Sequence, residues 1–314
     1  MSRKILITGA TGFAGSYLAE FLQGENEVFG TYFTKESRGR LRGVLDRVKF
    51  LELDLRRKDQ VEKVVKESDP DEVYHLAALS SPWKSFNDPA GVLENNIVGQ
   101  VNLFEAIKKM KKRPRVLVIG SADEYGLVDK EDIPIDEEVC FNPTNPYSVS
   151  KLTQDYLGRQ YFLSYGMSVV RVRPFNHIGP RQEKGFVVSD FAIQIAKIEK
   201  DGGGKLRVGN LKAVRDFTDV RDMVRAYVLA LREGEVGDVY NIGSGKGYSI
   251  GEILDILVSY SKRKIEIEED EKLFRQVDNP EIICNNKKFV EVTGWEREFE
   301  IAKTLEDVLD YFRK

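Results

Sequence analysis

A glycine-rich segment directly after the first apolar run constrains the fold of this chain more than any other feature. The run Lys4–Thr8 is followed by the residues GATGFAG at positions 9–15, which open a helical pattern. A strand, a glycine turn and a helix in this order are typical of a dinucleotide-binding βαβ unit, although a glycine turn without a ligand is the alternative. We predict that this segment binds a pyrophosphate through Gly9, Thr11, Gly12, Phe13, Ala14 and Gly15.

Short apolar runs alternate with helical patterns through the first 170 residues. The patterns predict strands at Lys4–Thr8, Val28–Tyr32, Lys49–Leu53, Glu72–Leu76, Arg115–Ile119 and Val169–Val172, and helices at Gly12–Gln23, Asp59–Ser68, Asp88–Met110 and Pro146–Tyr165. Strands rich in Val, Ile and Leu and separated by helices indicate a parallel sheet covered on both faces. The predicted fold class is α/β, with a doubly wound parallel (Rossmann) sheet whose ligand crevice lies at the carboxyl ends of the strands.

The pattern loosens after Pro174, and this change suggests a second unit. Gly202–Gly204 predicts a surface turn, and apolar residues from Val220 to Leu231 recur at helical spacing. Ser249–Ser261 is a further predicted helix and Lys264–Glu268 a short strand. We predict a dinucleotide-binding domain at 1–172. Residues 173–314 are then mainly a smaller C-terminal α/β substrate-binding domain, with some elements packing back onto the first.

Composition excludes several classes of function. A formal net charge of −3 provides no basic surface for nucleic acid. Two cysteines (Cys140 and Cys284) and two histidines (His75 and His177) are too few and too dispersed for a metal site or a disulfide framework. No uncharged apolar run approaches the ~20 residues of a membrane span, and the chain begins almost directly with a strand. We therefore expect a cytoplasmic protein with no metal, nucleic-acid or membrane partner.

The end of the second predicted strand indicates the cofactor. NAD enzymes commonly place an acidic residue there for the ribose hydroxyls, but Thr31–Thr34 contains none. Lys35 and Arg38 follow and could neutralise a 2′-phosphate; alternatively, they are solvated loop charges. The sequence favours NADP(H), with NAD(H) possible.

A Tyr-x-x-x-Lys pair provides the candidate acid–base group. Tyr147 and Lys151 are four residues apart in a predicted helix, so their side chains share one face. An ammonium beside a phenol is expected to lower its pKa toward working pH. Ser121 follows the fifth predicted strand and would lie beside the reacting oxygen. The alternative for the pair is an ordinary surface contact on a helix.

These motifs together resemble the extended short-chain dehydrogenase/reductase family from end to end. Besides the glycine turn, Ser121 and the Tyr147/Lys151 pair, the matching residues are Asp54, the HLAA segment at 75–78 and Asn96. The resemblance implies that Asp54 and Leu55 contact the adenine, that Leu76, Ala77 and Ala78 line the cofactor channel, and that Asn96 supports the frame. Taken alone, His75 is better explained as a packed histidine at the end of a strand.

The second half resembles the GDP-mannose-modifying branch of this family, through RPFNHIGPR at 173–181 and the VGNL and VRDFTDV segments at 208–220. The resemblance implies a GDP-linked sugar as substrate and a homodimer or homotetramer formed through the helices near Asp88–Met110 and Pro146–Tyr165. The implied substrate-binding residues are Asn176, Arg181, Asn210, Arg215, Arg275 and Asp278. Arg215 could instead form a structural salt bridge.

Position 123 bears on the reaction. Dehydratases of this branch have Glu where Asp123 stands and Thr where Ser121 stands, and Asp is one methylene shorter. Because a ~1 Å misplacement of a catalytic group can cost about a hundredfold, Asp123 counts against elimination. We therefore expect NADP(H)-dependent reduction of the 4-keto group of a GDP-linked 6-deoxy-4-keto-hexose. GDP-mannose 4,6-dehydration, nucleotide-sugar epimerisation and a non-catalytic redox-sensing module are the alternatives.

Overall fold

The computed structural model describes residues 2–39, 41, 45–274 and 279–314, and of Arg38 and Gly39 it describes the backbone alone. The predicted site residues Arg275 and Asp278, and the side chain of Arg38, lie outside this description. The first unit contains β1 (Lys4–Thr8), α1 (Phe13–Leu22), β2 (Glu27–Tyr32), α2 (Lys35–Gly39), β3 (Lys49–Glu52), α3 (Lys58–Ser68), β4 (Glu72–His75), α4 (Pro82–Ser85), α5 (Pro89–Leu93), α6 (Gly99–Lys108), β5 (Arg115–Ile119), α7 (Pro146–Tyr165) and β6 (Val169–Pro174).

Further along the chain follow β7 (Asn176–Ile178), α8 (Val187–Asp201), β8 (Gly204–Val208), β9 (Val214–Asp219), α9 (Val220–Glu233), β10 (Val239–Ile242), β11 (Gly247–Ser249), α10 (Ile250–Ser259), β12 (Ile265–Glu269), β13 (Glu281–Ile282), α11 (Lys287–Thr293) and α12 (Ile301–Arg313). Within the described ranges, none of these helices is both long and apolar enough to cross a membrane.

Seven of the described strands form one parallel sheet in the order β10-β6-β5-β4-β1-β2-β3. Apolar side chains of β1 alternate between its two faces: Ile5 and Ile7 pack towards α1 and α9, while Leu6 packs towards α3, α6 and α7. The strand order reverses between β1 and β4, and parallel α/β sheets bind ligands at such a switch point. The predicted doubly wound fold is therefore confirmed.

A second apolar core lies beyond this sheet. It is formed by side chains of α8, α10 and α12 together with residues of β8 and β9, including Phe191, Leu206, Phe217, Leu257 and Leu305. Two later elements belong to the first core instead, because β10 pairs with β6 and α9 packs against α1. The boundary predicted at residue 172 falls inside β6.

The element predictions for the first unit agree with the structure, with one correction. The helix predicted over Asp88–Met110 is wrong as a single helix, because it consists of α5, a π-helical turn at Glu94–Val98 and α6. The wide turn places Asn96 in the interior, where its amide oxygen accepts from Leu79 N at 2.8 Å and its Nδ2 donates to Ser150 Oγ at 2.8 Å. Asn96 thus ties the segment after β4 to α7.

Candidate active site

The glycine turn is packed so closely that side chains at two of its positions would not fit. Gly9 has φ +72°, and a Cβ there would lie 2.8 Å from Ala77 Cα. A Cβ at Gly15 would overlap the carbonyl oxygen of Gly9, so this residue sets how closely α1 approaches the turn. Gly12 is exposed, and α1 begins at Phe13 with no acidic residue in its first turn. Free N–H groups and the helix dipole there suit an anion, so the turn fits the pyrophosphate of a dinucleotide.

The tips of β2 and β3 form what we call the β2–β3 rim, comprising residues 31–37 and 54–56. Lys35 is exposed, and Thr11 Oγ1 on the glycine turn donates to Ser37 Oγ at 3.1 Å. Asp54 accepts from Arg56 through Nε at 2.9 Å and Nη2 at 2.8 Å, and these hydrogen bonds lower the pKa of the Asp54 carboxyl. Leu55 is buried, and its carbonyl accepts from Asn102 at 2.9 Å.

His75 is held as a structural residue at the end of β4. Its Nδ1 lies 2.8 Å from Thr8 Oγ1, and its Nε2 lies 3.3 Å from the side-chain nitrogen of Gln154 on α7. Burial lowers the pKa of His75 to about 3, so the ring is neutral at physiological pH. The N–H of Ala77 donates to the same Thr8 oxygen at 3.2 Å. These bonds fix the segment of Leu76, Ala77 and Ala78 against the glycine turn.

Helix α7 carries the candidate acid–base pair and has well-defined ends. Asn145 caps its first turn by accepting from Ser148 N at 2.9 Å, and Gly166 ends it in the left-handed region with φ +61°. Tyr147 and Lys151 lie on one face and are 8% and 4% exposed. The Lys151 ammonium donates to the carbonyl oxygen of Ile119, the last residue of β5, at 2.7 Å. Burial lowers the pKa of Lys151 to about 8.

The pKa expected for Tyr147 is wrong in direction. Burial raises the pKa of the phenol above its usual value, the nearby Asp123 carboxylate raises it further, and a hydrogen bond with Ser121 only partly offsets both effects. The Lys151 ammonium donates to Ile119 O, and its charge does not offset these effects. At neutral pH Tyr147 is therefore protonated and can donate a proton.

Ser121, Asp123 and Glu124 form a tight turn directly after β5. Residues Ala122–Glu124 are a 3₁₀ turn, in which Ser121 Oγ accepts from Asp123 N at 3.1 Å and Glu124 Oε1 accepts from Ser121 N at 2.7 Å. Glu124 was not among the predicted site residues, and it is fully buried. The Ser-x-x-Glu pattern at 121–124, which is typical of a capping box, was the sequence signal that could have predicted this contact between Glu124 and Ser121.

The residues predicted to bind substrate are distributed over the second unit. Asn176 is exposed on β7, and Arg215 is buried on β9 with Nη1 donating to Val214 O at 2.7 Å. Asn210 lines a cleft of about 510 Å³, together with Val208, Leu211, Lys212, Ile267, Glu269 and Phe274.

Arg181 is engaged with α1. Its guanidinium stacks over the ring of Tyr17 at 3.6 Å and pairs with Glu20 at 2.7 Å. In the described ranges no group of three His, Cys, Asp or Glu side chains is arranged to hold a metal ion.

Comparisons with known proteins identify the family of the chain and agree with its fold. A family model described as GDP-mannose 4,6 dehydratase matches residues 6–308. The chain is 34% identical to GDP-6-deoxy-D-mannose reductase of Pseudomonas aeruginosa, covering 98% of this chain and 97% of that protein. It is 32% identical to GDP-mannose 4,6-dehydratase of Vibrio cholerae, covering 81% and 71%. A solved structure of RMD from Pseudomonas aeruginosa complexed with NADPH superimposes with a TM-score of 0.86 at 32% identity, covering 99% of both chains.

Proposed function

The chain belongs to the GDP-mannose 4,6-dehydratase family of extended short-chain dehydrogenases/reductases, and from this we propose that it reduces the 4-keto group of a GDP-linked 6-deoxy-4-keto-hexose with NADP(H). The observation that carries the proposal is the buried phenol of Tyr147 beside Ser121, whose pKa is raised by burial so that it keeps its proton at neutral pH. A ketone reductase needs a proton donor and a hydroxyl that holds the carbonyl oxygen. The similarity to GDP-6-deoxy-D-mannose reductase over nearly the whole length supports the same reaction.

The cofactor would be held by the glycine turn, by the β2–β3 rim and by the segment that follows β4. Gly9, Gly12 and the N-terminus of α1 would bind the pyrophosphate, while Lys35 would face a 2′-phosphate at the β2–β3 rim. Asp54 would contact the adenine, and Ala77 would line the channel. When bound, NADPH supplies a hydride to the C4 carbon of the keto-sugar.

Proton transfer is the task of Tyr147. Its hydroxyl donates to the C4 carbonyl oxygen as that oxygen gains negative charge, while Ser121 holds the same oxygen in line. The resulting C4 hydroxyl retains the Tyr147 proton, and the phenolate is reprotonated from solvent. Lys151, charged below its pKa of about 8, anchors the Tyr147 face of α7 to the end of β5 by donating to Ile119 O.

The GDP moiety would bind to the second unit. An arginine fork matches the oxygens of a diphosphate, so we assign Arg215 and Arg275 to this group, with Asn176, Arg181, Asn210 and Asp278 as further contacts. A cytoplasmic location and a homodimer or homotetramer remain predictions.

Dehydration of GDP-mannose is the second candidate. Asp123 lies near enough to Tyr147 for its charge to raise the phenol pKa, so a carboxylate is present beside the reacting centre. The family includes dehydratases such as that of Vibrio cholerae. Asp is shorter than the Glu that those enzymes carry here, which is why we rank this reaction second.

One assay separates the two candidates. The protein is given GDP-mannose or GDP-4-keto-6-deoxymannose, with and without NADPH, and the products are resolved by mass. We expect NADPH to be consumed with the keto-sugar and no loss of water from GDP-mannose. Asp123→Asn should leave reduction within about tenfold, as should the matched change at the exposed Asp129. Rapid loss of water from GDP-mannose that Asp123→Asn abolishes would replace the reductase with a dehydratase.

A further inference from the structure

Four ionisable side chains lie together in the interior behind the catalytic residues, and burial raises the pKa of one of them, Glu124, well above its usual value. Glu124, Asp155, Arg171 and Arg173 are each at most 4% exposed. None of them has a part in the proton transfer described above. Buried ions lose their hydration, and an apolar cluster of similar volume is often equally stable. Stability alone is therefore a weak reason for this cluster.

One end of the cluster holds Ser121. Glu124 Oε1 accepts from Ser121 N at 2.7 Å, which fixes the backbone of that residue rather than its hydroxyl. The carboxylate is packed so tightly that a Cβ at the preceding Gly120 would overlap Glu124 Oε1. The turn therefore has little freedom to rotate Ser121 away from Tyr147.

The other end of the cluster is anchored on α7. Glu124 Oε2 lies 3.4 Å from Arg173 Nε, and the same nitrogen donates to Asp155 Oδ2 at 2.7 Å. Arg171 binds the other oxygen of Asp155. Arg173 is further fixed by donating to Tyr125 OH at 3.0 Å.

Asp155 lies on the same helix face as the catalytic pair. Residues 147, 151 and 155 are spaced by four, so Tyr147, Lys151 and Asp155 form one stripe along α7. Two connections then join this stripe to the end of β5. One is the bond from Lys151 to Ile119 O, and the other passes from Asp155 through Arg173 and Glu124 to Ser121 N.

We propose that Glu124 is a positioning residue that, through Arg173 and Asp155, fixes the Ser121 hydroxyl relative to the Tyr147 hydroxyl. The proposal concerns the same site as the proposed reductase and rests on that function for its kinetic test. Glu124 itself touches no reacting atom. Its effect should therefore appear in kcat through Ser121 and leave NADPH affinity unchanged.

The test is a double-mutant cycle between Glu124 and Ser121. Glu124→Ala should lower kcat about a hundredfold, the cost of misplacing a catalytic group by ~1 Å. Glu124→Gln keeps an oxygen that can accept from Ser121 N, so it should restore kcat to within about tenfold of wild type. In a Ser121→Ala background neither change should lower kcat more than about twofold further, because the group that Glu124 positions is gone. NADPH affinity, measured by fluorescence, should stay constant throughout.

Glu137→Gln is the matched control. Glu137 is another partly buried carboxylate near Arg173 whose pKa is raised by burial, but its Oε1 accepts from Asn241 N at 2.7 Å. It should leave kcat near that of wild type. Equal losses of kcat for Glu124 variants in the wild-type and Ser121→Ala backgrounds would overturn the proposal, as would a Glu124→Ala enzyme with normal kcat. If Glu124→Ala does not fold, the cycle with Glu124→Gln decides, since its smaller loss must also vanish when Ser121 is absent.

Hydrogen exchange of the substrate-free protein separates this proposal from the reductase assignment. Because Ser121 N–H donates to the buried Glu124 carboxyl group, peptides that cover residues 117–126 should exchange faster in Glu124→Ala than in wild type, Glu124→Gln and Glu137→Gln. If the wild type does not reduce the keto-sugar, the proposed function is wrong, and the exchange measurement still tests whether Glu124 positions Ser121. Unchanged exchange in Glu124→Ala would overturn the positioning role.

Discussion

The two sides of the crevice are built from different kinds of interaction. At the β2–β3 rim, the charges face solvent: Lys35 is exposed, and the side chains of Asp54 and Arg56 are 20% and 41% exposed. At the side formed by β5 and α7, which we call the catalytic floor, Tyr147, Lys151 and Glu124 are all less than a tenth exposed. Both sides carry charges, but only the floor removes them from water.

This difference determines how strongly each charge acts. Between exposed groups, water and salt screen the interaction to a fraction of a kcal/mol, whereas the same separation in the interior is worth several times more. The floor can therefore shift the pKa of Tyr147 and hold Ser121 through a series of buried ionisable side chains. We expect substitutions in the floor to change the chemistry, and those at the rim to change cofactor preference modestly.

The largest effect should follow removal of the floor's proton donor. Tyr147→Phe deletes the hydroxyl while keeping the ring, so kcat should fall by about 10²–10⁴, the usual contribution of general acid catalysis. NADPH affinity should remain near that of wild type. The measurement is steady-state reduction of the keto-sugar, with cofactor binding followed by fluorescence.

Tyr161→Phe is the matched control for this prediction. Tyr161 is buried on the same helix, and its hydroxyl donates to Glu105 at 2.8 Å, away from the floor. Its loss should affect stability and leave kcat nearly unchanged. Near-normal turnover in Tyr147→Phe would rule out the proposed mechanism. It would also contradict the expectation that substitutions in the catalytic floor affect the chemistry more than those at the β2–β3 rim.

A smaller effect, on the free energy of unfolding in acid, should come from His75, which lies beside Gln154 of α7. Burial lowers the pKa of His75 from 6.5 to about 3, so between these values the unfolded chain binds a proton that the folded chain does not. The contribution of His75 to stability is therefore complete above 6.5 and is lost as pH falls toward 3. Between about pH 7 and pH 5 the loss should be about 2 kcal/mol.

The comparison that tests this is urea unfolding of wild type and His75→Gln at both pH values. The glutamine side chain does not titrate, so the variant should lose less stability on acidification, although it is less stable at neutral pH. Parallel losses of unfolding free energy in the two proteins would show that the pKa of His75 is the same in the folded and the unfolded chain.

The fold could be predicted from the sequence because its signals are local. The observed bounds of β1, β5 and α7 were predicted from unalternating apolar runs, a glycine turn and a helical pattern that begins at Pro146. The second unit was predicted less completely: α8 and α12 were missed, although both have an apolar face that packs into the second core.

The site was predicted where a motif names the residue, and missed where burial decides its behaviour. Spacing placed Tyr147 and Lys151 on one face, but the direction of the Tyr147 pKa depends on desolvation and on Asp123, which only the packed structure provides. Glu124 and Asp155 are 31 positions apart in the sequence and are connected through Arg173, which contacts both. Apart from the capping box, no local pattern predicts this connection. Long-range charge networks of this kind follow from tertiary packing.

The smallest effect should come from the rim. Lys35 is an exposed cation, so water screens its interaction with a 2′-phosphate. Lys35→Ala should therefore weaken NADPH binding by about 1 kcal/mol, roughly fivefold, and leave NADH binding unchanged. Because the interaction is screened, the loss should shrink as salt is added. Lys66→Ala on the exposed face of α3 is the control for the change in net charge and should weaken neither cofactor. Adding Arg38→Ala should enlarge the NADPH loss if both cations face the 2′-phosphate. Equal losses for NADPH and NADH, or a wild type that prefers NADH, would show that the rim's cations are solvated charges and that selectivity between the cofactors arises elsewhere.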